Sequence, residues 1–197
     1  MVNIMVINLH GYHGTDIANR DDILENGFKY KKFNKNLKEN KMPCDLGNGV
    51  YFYISNAFLP SPSKNAMEYA KLYPRPSKNV VVFKCEIEIE EDKLLNLNDL
   101  ESAQIIYDYY ETNKEIIDLV YESIKESGAK KRGFILGLVI ELFIYKNNLS
   151  IDAIHKNTFT NFKLSKDNNV TLDLPNGAEL VVRNKKCIKS KEIYGGE

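Results

Sequence analysis

Three short segments of this 197-residue chain carry side chains able to do chemistry on a sugar or a flat cation. YHGT at 12–15 sets an imidazole between a tyrosine and a glycine. LGNGVYFY at 46–53 leads two glycines into an aromatic strand. NGAELVV at 176–182 places one carboxylate at the mouth of a late apolar run. An imidazole offers a directed hydrogen bond to a hydroxyl without needing a metal. A phenol ring buries another flat ring and keeps water off it. A carboxylate in a dry pocket stabilises positive charge as it develops. Each residue also has a plain structural role: His13 as a strand-end histidine, Tyr51 as a core aromatic, Glu179 as an exposed strand residue. Their order along the chain favours the chemical roles.

Other signatures are missing. The sequence has no GxxxxGK[ST] for a P-loop, no dinucleotide fingerprint after LGNG and no HExxH. His10, His13 and His155 lack zinc-ligand spacing, and no metal is expected. Cys44, Cys85 and Cys187 are odd in number and far apart, so no disulfide framework is expected. Cys85 and Cys187 read as small core hydrophobes. Net charge is zero and the pI about 6.8, which implies no general attraction to nucleic acid or membrane. Local runs differ from that total. KYKKFNKNLKENK at 29–41 and RNKKCIKSK at 183–191 are basic, and CEIEIEEDK at 85–93 is acidic. They read most simply as solvated faces, while the basic pair also suits a phosphate-bearing ligand or polyanionic partner.

The elements that must position these groups follow from periodicity. Residues 3–9 read as a strand ending at the tyrosine–histidine pair. Asp21 and Asp22 open a short helix that stops at Gly27. The lysine-rich 29–41 segment reads as an exposed loop. VYFY enters a strand, and a short helix follows near 63–72. NVVVFKCEIEI at 79–89 is a strand. Asn98 and Glu101 have capping-box spacing, and Ile106, Tyr109, Ile116, Val120 and Ile124 then recur at helical period. GFILGLVIELFIY at 133–145 is too short to cross a membrane and suits a buried helix, with Glu141 facing water or pairing locally. SIDAIHKNTF reads as a short strand and loop. NNVTLDLPNGAELVVRNKKCI reads as a strand or hairpin turn followed by the strand AELVV. The whole is expected to be one α+β domain spanning 1–197, with the 99–146 helical segment packed on a sheet drawn from both chain ends. The opening MVNIMVINLH lacks the basic segment of a signal peptide, so a cytoplasmic location is expected, with export by a leaderless route open.

The three segments resemble the ADP-ribosyltransferase superfamily, in the branch with a His–Tyr–Glu triad that includes poly-ADP-ribose polymerases and diphtheria-type toxins. HGT supplies His13, GNGVYF supplies Tyr51 and AELVV supplies Glu179. AxxxxILxxGF after the histidine, the AMEYA helix after the tyrosine strand, and IDAI before the glutamate strand extend the likeness to about half the chain. The resemblance implies split mixed or antiparallel sheets around an NAD cleft. It implies NAD as co-substrate, with His13, Gly14, Thr15, Gly49, Tyr51, Phe52, Ala66 and Tyr69 beside it. His13 would bond the nicotinamide-side ribose, Tyr51 and Tyr69 would cover the nicotinamide ring, and Glu179 would stabilise its departure.

Two departures bear on the acceptor. Ala66 stands where polymerase-type relatives carry a serine, so a hydroxyl contact is lost unless Asn65 or Ser63 replaces it. Gly177 stands where arginine-modifying relatives carry a second acidic or amide group, which disfavours arginine. The activity implied is mono-ADP-ribosyl transfer to a protein or nucleic acid, as a toxin or effector with a possible antitoxin or immunity partner and no membrane. NAD glycohydrolysis, a non-catalytic NAD or ADP-ribose binding module and RNA 2′-phosphotransfer are the alternatives.

Overall fold

The computed structural model describes residues 5–34, 36, 39–72, 79–162 and 173–196. Seven strands form one mixed sheet: β1 (Val6–Asp16), β2 (Val50–Ile54), β3 (Val80–Glu90), β4 (Leu94–Asn96), β5 (Ala153–Thr158), β6 (Gly177–Val182) and β7 (Ile188–Gly196). Their order is β4-β5-β6-β2-β1-β3-β7, and only β4 and β5 run parallel. Five helices accompany them: α1 (Arg20–Asn26), α2 (Pro62–Lys71), α3 (Leu100–Ser123), α4 (Gly128–Lys131) and α5 (Leu136–Lys146). This is an α+β architecture with helices packed on a sheet.

Alternation along the strands divides the core between the two faces. Phe52, Phe83, Ile87, Leu180 and Val182 form one cluster, closed by Ile23 of α1 and by Phe28. The opposite face packs Ile154 and Val181 under α3 and α5, while Tyr53 and Val82 meet Ala66 of α2. Each fully buried side chain of this kind contributes about 1.5–3 kcal/mol. Helix α5 is largely buried, as its apolar run predicts, with Glu141 buried inside it. No helix among the described residues is long and apolar enough to cross a membrane.

Several expectations shift on contact with the structure. β1 does not stop at the tyrosine–histidine pair but continues to Asp16, pairing residue by residue with β3, so His13 lies within a strand. The cap of α3 is Asp99 rather than Asn98, its carboxylate accepting from the Ser102 backbone at 2.9 Å. Ile117, not Ile116, faces the core, because it follows Ile106 by three helical turns of about 3.6 residues. Glu141 neither faces water nor pairs locally; it is 1% exposed and meets Arg183, distant in sequence. β7 is an additional strand, and the acidic run faces it: Lys189 pairs with Glu88 at 3.2 Å and Ser190 donates to Glu86 at 3.0 Å. Much of the NNVTL arm expected before Pro175 lies outside the described residues.

The junction at the centre of the sheet is the feature that shapes the site. β1 and β2 pair only at Gly11↔Ile54 and Tyr12↔Tyr53. Beyond that point β1 stays with β3 and β2 stays with β6. The sheet therefore forks between His13 and Phe52, into a β4-β5-β6-β2 half and a β1-β3-β7 half.

Candidate active site

His13 fills the fork. Its Nδ1 lies 2.8 Å from the Tyr51 carbonyl, where the next backbone ladder bond would otherwise form. A carbonyl only accepts, so Nδ1 carries the proton and Nε2 is the acceptor atom of the neutral ring. Phe28 and Phe52 meet the imidazole edge-on, with centroids at 5.0 and 5.9 Å. The ring is thus fixed by one hydrogen bond and two aromatic contacts. Gly14 follows it because the backbone is pressed against α2: a Cβ there would sit 1.9 Å from the Ala66 carbonyl oxygen.

Tyr51 and Glu179 come from neighbouring strands and share a face. Glu179 is directly opposite Tyr53 on one side and Lys156 of β5 on the other, and Tyr51 lies two residues along from Tyr53. The Tyr51 hydroxyl is engaged elsewhere: it accepts from the Leu46 backbone at 2.9 Å and donates to the Gly47 carbonyl at 2.8 Å. Burial holds its pKa well above the usual phenol range. Tyr51 therefore clamps the 44–47 turn with its polar end, and only its ring can serve a ligand. The imidazole, by contrast, packs with Phe28 and Phe52, which belong to the core cluster of the other face, and reaches Tyr51 through the backbone at the fork.

Glu179 is half-buried, between Ala178 and Leu180, whose side chains go to the opposite face. Burial pushes its pKa up from 4.5 to about 7. The nearby Thr158 and Tyr53 hydroxyls pull it partly back, Asp45 raises it, and Arg132 lowers it. No cation among the described residues comes within ion-pair distance. Such a group is an anion or an acid near neutral pH, at little cost either way.

The remaining expected site residues divide sharply. Tyr69 is 38% exposed and meets Tyr53 edge-on at 6.3 Å, which leaves ring surface for a ligand. The side chains of Thr15, Phe52 and Ala66, expected beside NAD, are buried. Thr15 accepts from Asn19 at 3.0 Å, Phe52 is core, and Ala66 spaces α2 from β1. Gly49 has a packing reason of its own, since a Cβ would meet the Val181 side chain at 2.6 Å. Asn65 donates from its amide to the Asn176 carbonyl at 2.8 Å, which ties α2 to the start of β6.

Tyr53 and Thr158 are the residues that sequence reasoning missed. The signal for Tyr53 was present, since it shares strand parity with Tyr51 in VYFYI. Thr158 has no local signature and is placed only by the pairing of β5 with β6. Comparison of the chain with family models, with curated proteins and with solved structures finds no match.

Proposed function

We propose that this chain is a NAD-dependent mono-ADP-ribosyltransferase, with its sheet divided as in that fold and its cleft at the fork. The observation that carries the reading is the forked sheet itself. It parts just past Tyr12↔Tyr53, with His13 and Tyr51 flanking the opening and Glu179 on the adjoining strand. The His13 imidazole takes over one ladder bond there, so the Tyr51 carbonyl stays paired where the strands part.

Cleavage of the nicotinamide–ribose bond sends the bonding electron pair to the pyridinium nitrogen and leaves an oxocarbenium-like sugar. Glu179, as an anion, stabilises that charge. The positive nicotinamide ring also favours the ionised carboxylate, lowering its pKa on binding. His13 directs Nε2 toward a ribose hydroxyl, and the Tyr51 and Tyr69 rings cover the nicotinamide. A nucleophile on a macromolecule then bonds to the ribose carbon and gives up its proton, for which Glu179 is the nearest base.

The test is nicotinamide release from NAD by wild type and Glu179→Gln, which keeps size and removes the anion. Turnover is expected to fall at least ~100-fold, about 2.7 kcal/mol, with nicotinamide binding retained. An unchanged rate would remove Glu179 from the chemistry. NAD labelled in the adenine separates transfer from hydrolysis, since label on macromolecule marks a transferase and free ADP-ribose a glycohydrolase.

A further inference from the structure

The two basic runs, at opposite ends of the chain, meet at one cavity of about 770 Å³ beyond the end of β6. Lys32 comes from the first run, and Arg183, Lys185 and Lys186 from the second. Two carboxylates also line it, and both are engaged. Glu141 holds Arg183 through both of its oxygens, and Asp152 accepts from the Asn184 amide at 3.0 Å. Four cations against two carboxylates leave a net charge of +2 on the wall. Lys32, Lys185 and Lys186 are exposed and form no ion pair among the described residues. Their neighbour Lys189, in contrast, is spent on Glu88 across the β3–β7 pair.

Aromatic rings stand among these lysines. Tyr30, Phe33 and Tyr145 line the same cavity, with the Lys185 ammonium 5.7 Å from the Tyr30 ring centroid and Tyr145 50% exposed. The Tyr30 hydroxyl donates to the Arg183 carbonyl, which fixes the first basic run against the second. Lysines for phosphates and open ring faces for bases are the combination by which proteins hold single-stranded nucleic acid. The volume suits one nucleotide unit, within the roughly 300–1,000 Å³ of small-molecule sites. An acidic peptide would use the lysines and leave the exposed Tyr145 ring without a role, and a duplex would keep its bases stacked away from it.

The geometry points to a binding site for single-stranded nucleic acid in this cavity, with phosphates on Lys32, Lys185 and Lys186 and a base on Tyr145. It is argued from the cavity and does not rest on the proposed reaction. The test is fluorescence anisotropy of a labelled oligothymidylate of about 12 nucleotides with the full chain, without NAD, across roughly 50 to 200 mM salt. Joint replacement Lys32→Ala, Lys185→Ala and Lys186→Ala is expected to weaken binding at least ~10-fold and to flatten the log–log salt slope by about 2. Tyr145→Ala is expected to cost about fivefold or more through lost stacking. Glu179→Gln should bind as wild type does, so failure of the catalytic reading leaves this outcome standing. No saturable binding at the lowest salt, or equal affinity of the triple variant, overturns the site. Displacement of the strand by polyglutamate, duplex DNA or AMP as readily as by unlabelled strand, at equal charge, overturns the ligand class.

Discussion

Glu141 and Glu179 both place a carboxylate against the same sheet, yet they are held in opposite ways. Glu141, on α5, is 1% exposed and fully answered: Arg183 grips both its oxygens, and the Asn48 backbone donates to it at 2.6 Å. Glu179, on β6, is half-buried and answered only by hydroxyls, with its pKa near 7. Burial alone therefore does not separate a carboxylate that holds elements together from one left open to a ligand. A carboxylate with a guanidinium and a backbone donor is committed to holding elements together, here α5, the Asn48 turn and the end of β6. One left with neutral partners keeps its charge available for a ligand.

Stability measurements break or keep this contrast most directly. Glu141→Ala strands the Arg183 guanidinium and the Asn48 N–H, at a cost of about 3–5 kcal/mol. For a chain of this size that lowers Tm by roughly 6–20 °C. Glu179→Gln has the opposite sign. Below about pH 4.5 the carboxyl is protonated in both folded and unfolded chains, and its contribution to stability is fully present. As pH rises through 7 the folded chain must ionise a half-buried group, and that stability is lost. The glutamine variant escapes the loss, so it matches wild type at pH 4 and exceeds it at pH 8, by no more than about 3 kcal/mol. Thermal unfolding at both pH values reads all of this. An unchanged Tm for Glu141→Ala would dissolve the comparison.

The pH dependence of activity sharpens it. If the anion of Glu179 carries the reaction, kcat/KM for nicotinamide release rises about tenfold per pH unit below its pKa and levels off above about 7. Under saturating NAD the midpoint moves to lower pH, because the pyridinium favours the carboxylate. A profile flat from pH 5 to 8 would show that this carboxylate's ionisation does not control the rate.

The legible parts of this molecule are those written in local pattern. VVVFKCEIEI, VYFY and AELVV alternate as strands do, and the 133–145 run is apolar enough to demand burial. His13, Tyr51 and Glu179 stand out in the sequence because each lies within two residues of a glycine at an apolar run, but their geometry does not. Where the sheet forks depends on which strands pair, and no residue of β1 encodes that by itself. Glu141 was misread for the same reason, since its partner is 42 residues away on another element. β7 escapes notice because IKSKEIYGG is one-third charged and lacks a clean apolar alternation; its lysines belong to a cross-strand pattern with β3 that shows only once the two are side by side.

The smallest expected effect separates the two tyrosines of VYFYI. Tyr53 lies opposite Glu179, and its hydroxyl, also 3.3 Å from Thr160 Oγ1, helps to hold the carboxylate ionised. Tyr53→Phe removes that hydroxyl, so the midpoint of the pH–rate profile moves upward, by under ~1 unit, with a stability change of about 1 kcal/mol. Thr158→Val moves it the same way. Tyr51→Phe instead frees the Leu46 N–H and the Gly47 carbonyl, loosening the 44–47 turn while the midpoint stays in place. The two single variants and the wild type, titrated side by side, decide which phenol tunes the carboxylate. A shift in Tyr51→Phe with none in Tyr53→Phe would exchange their roles, and the hydroxyl shell assigned to Glu179 would have to be redrawn around the turn.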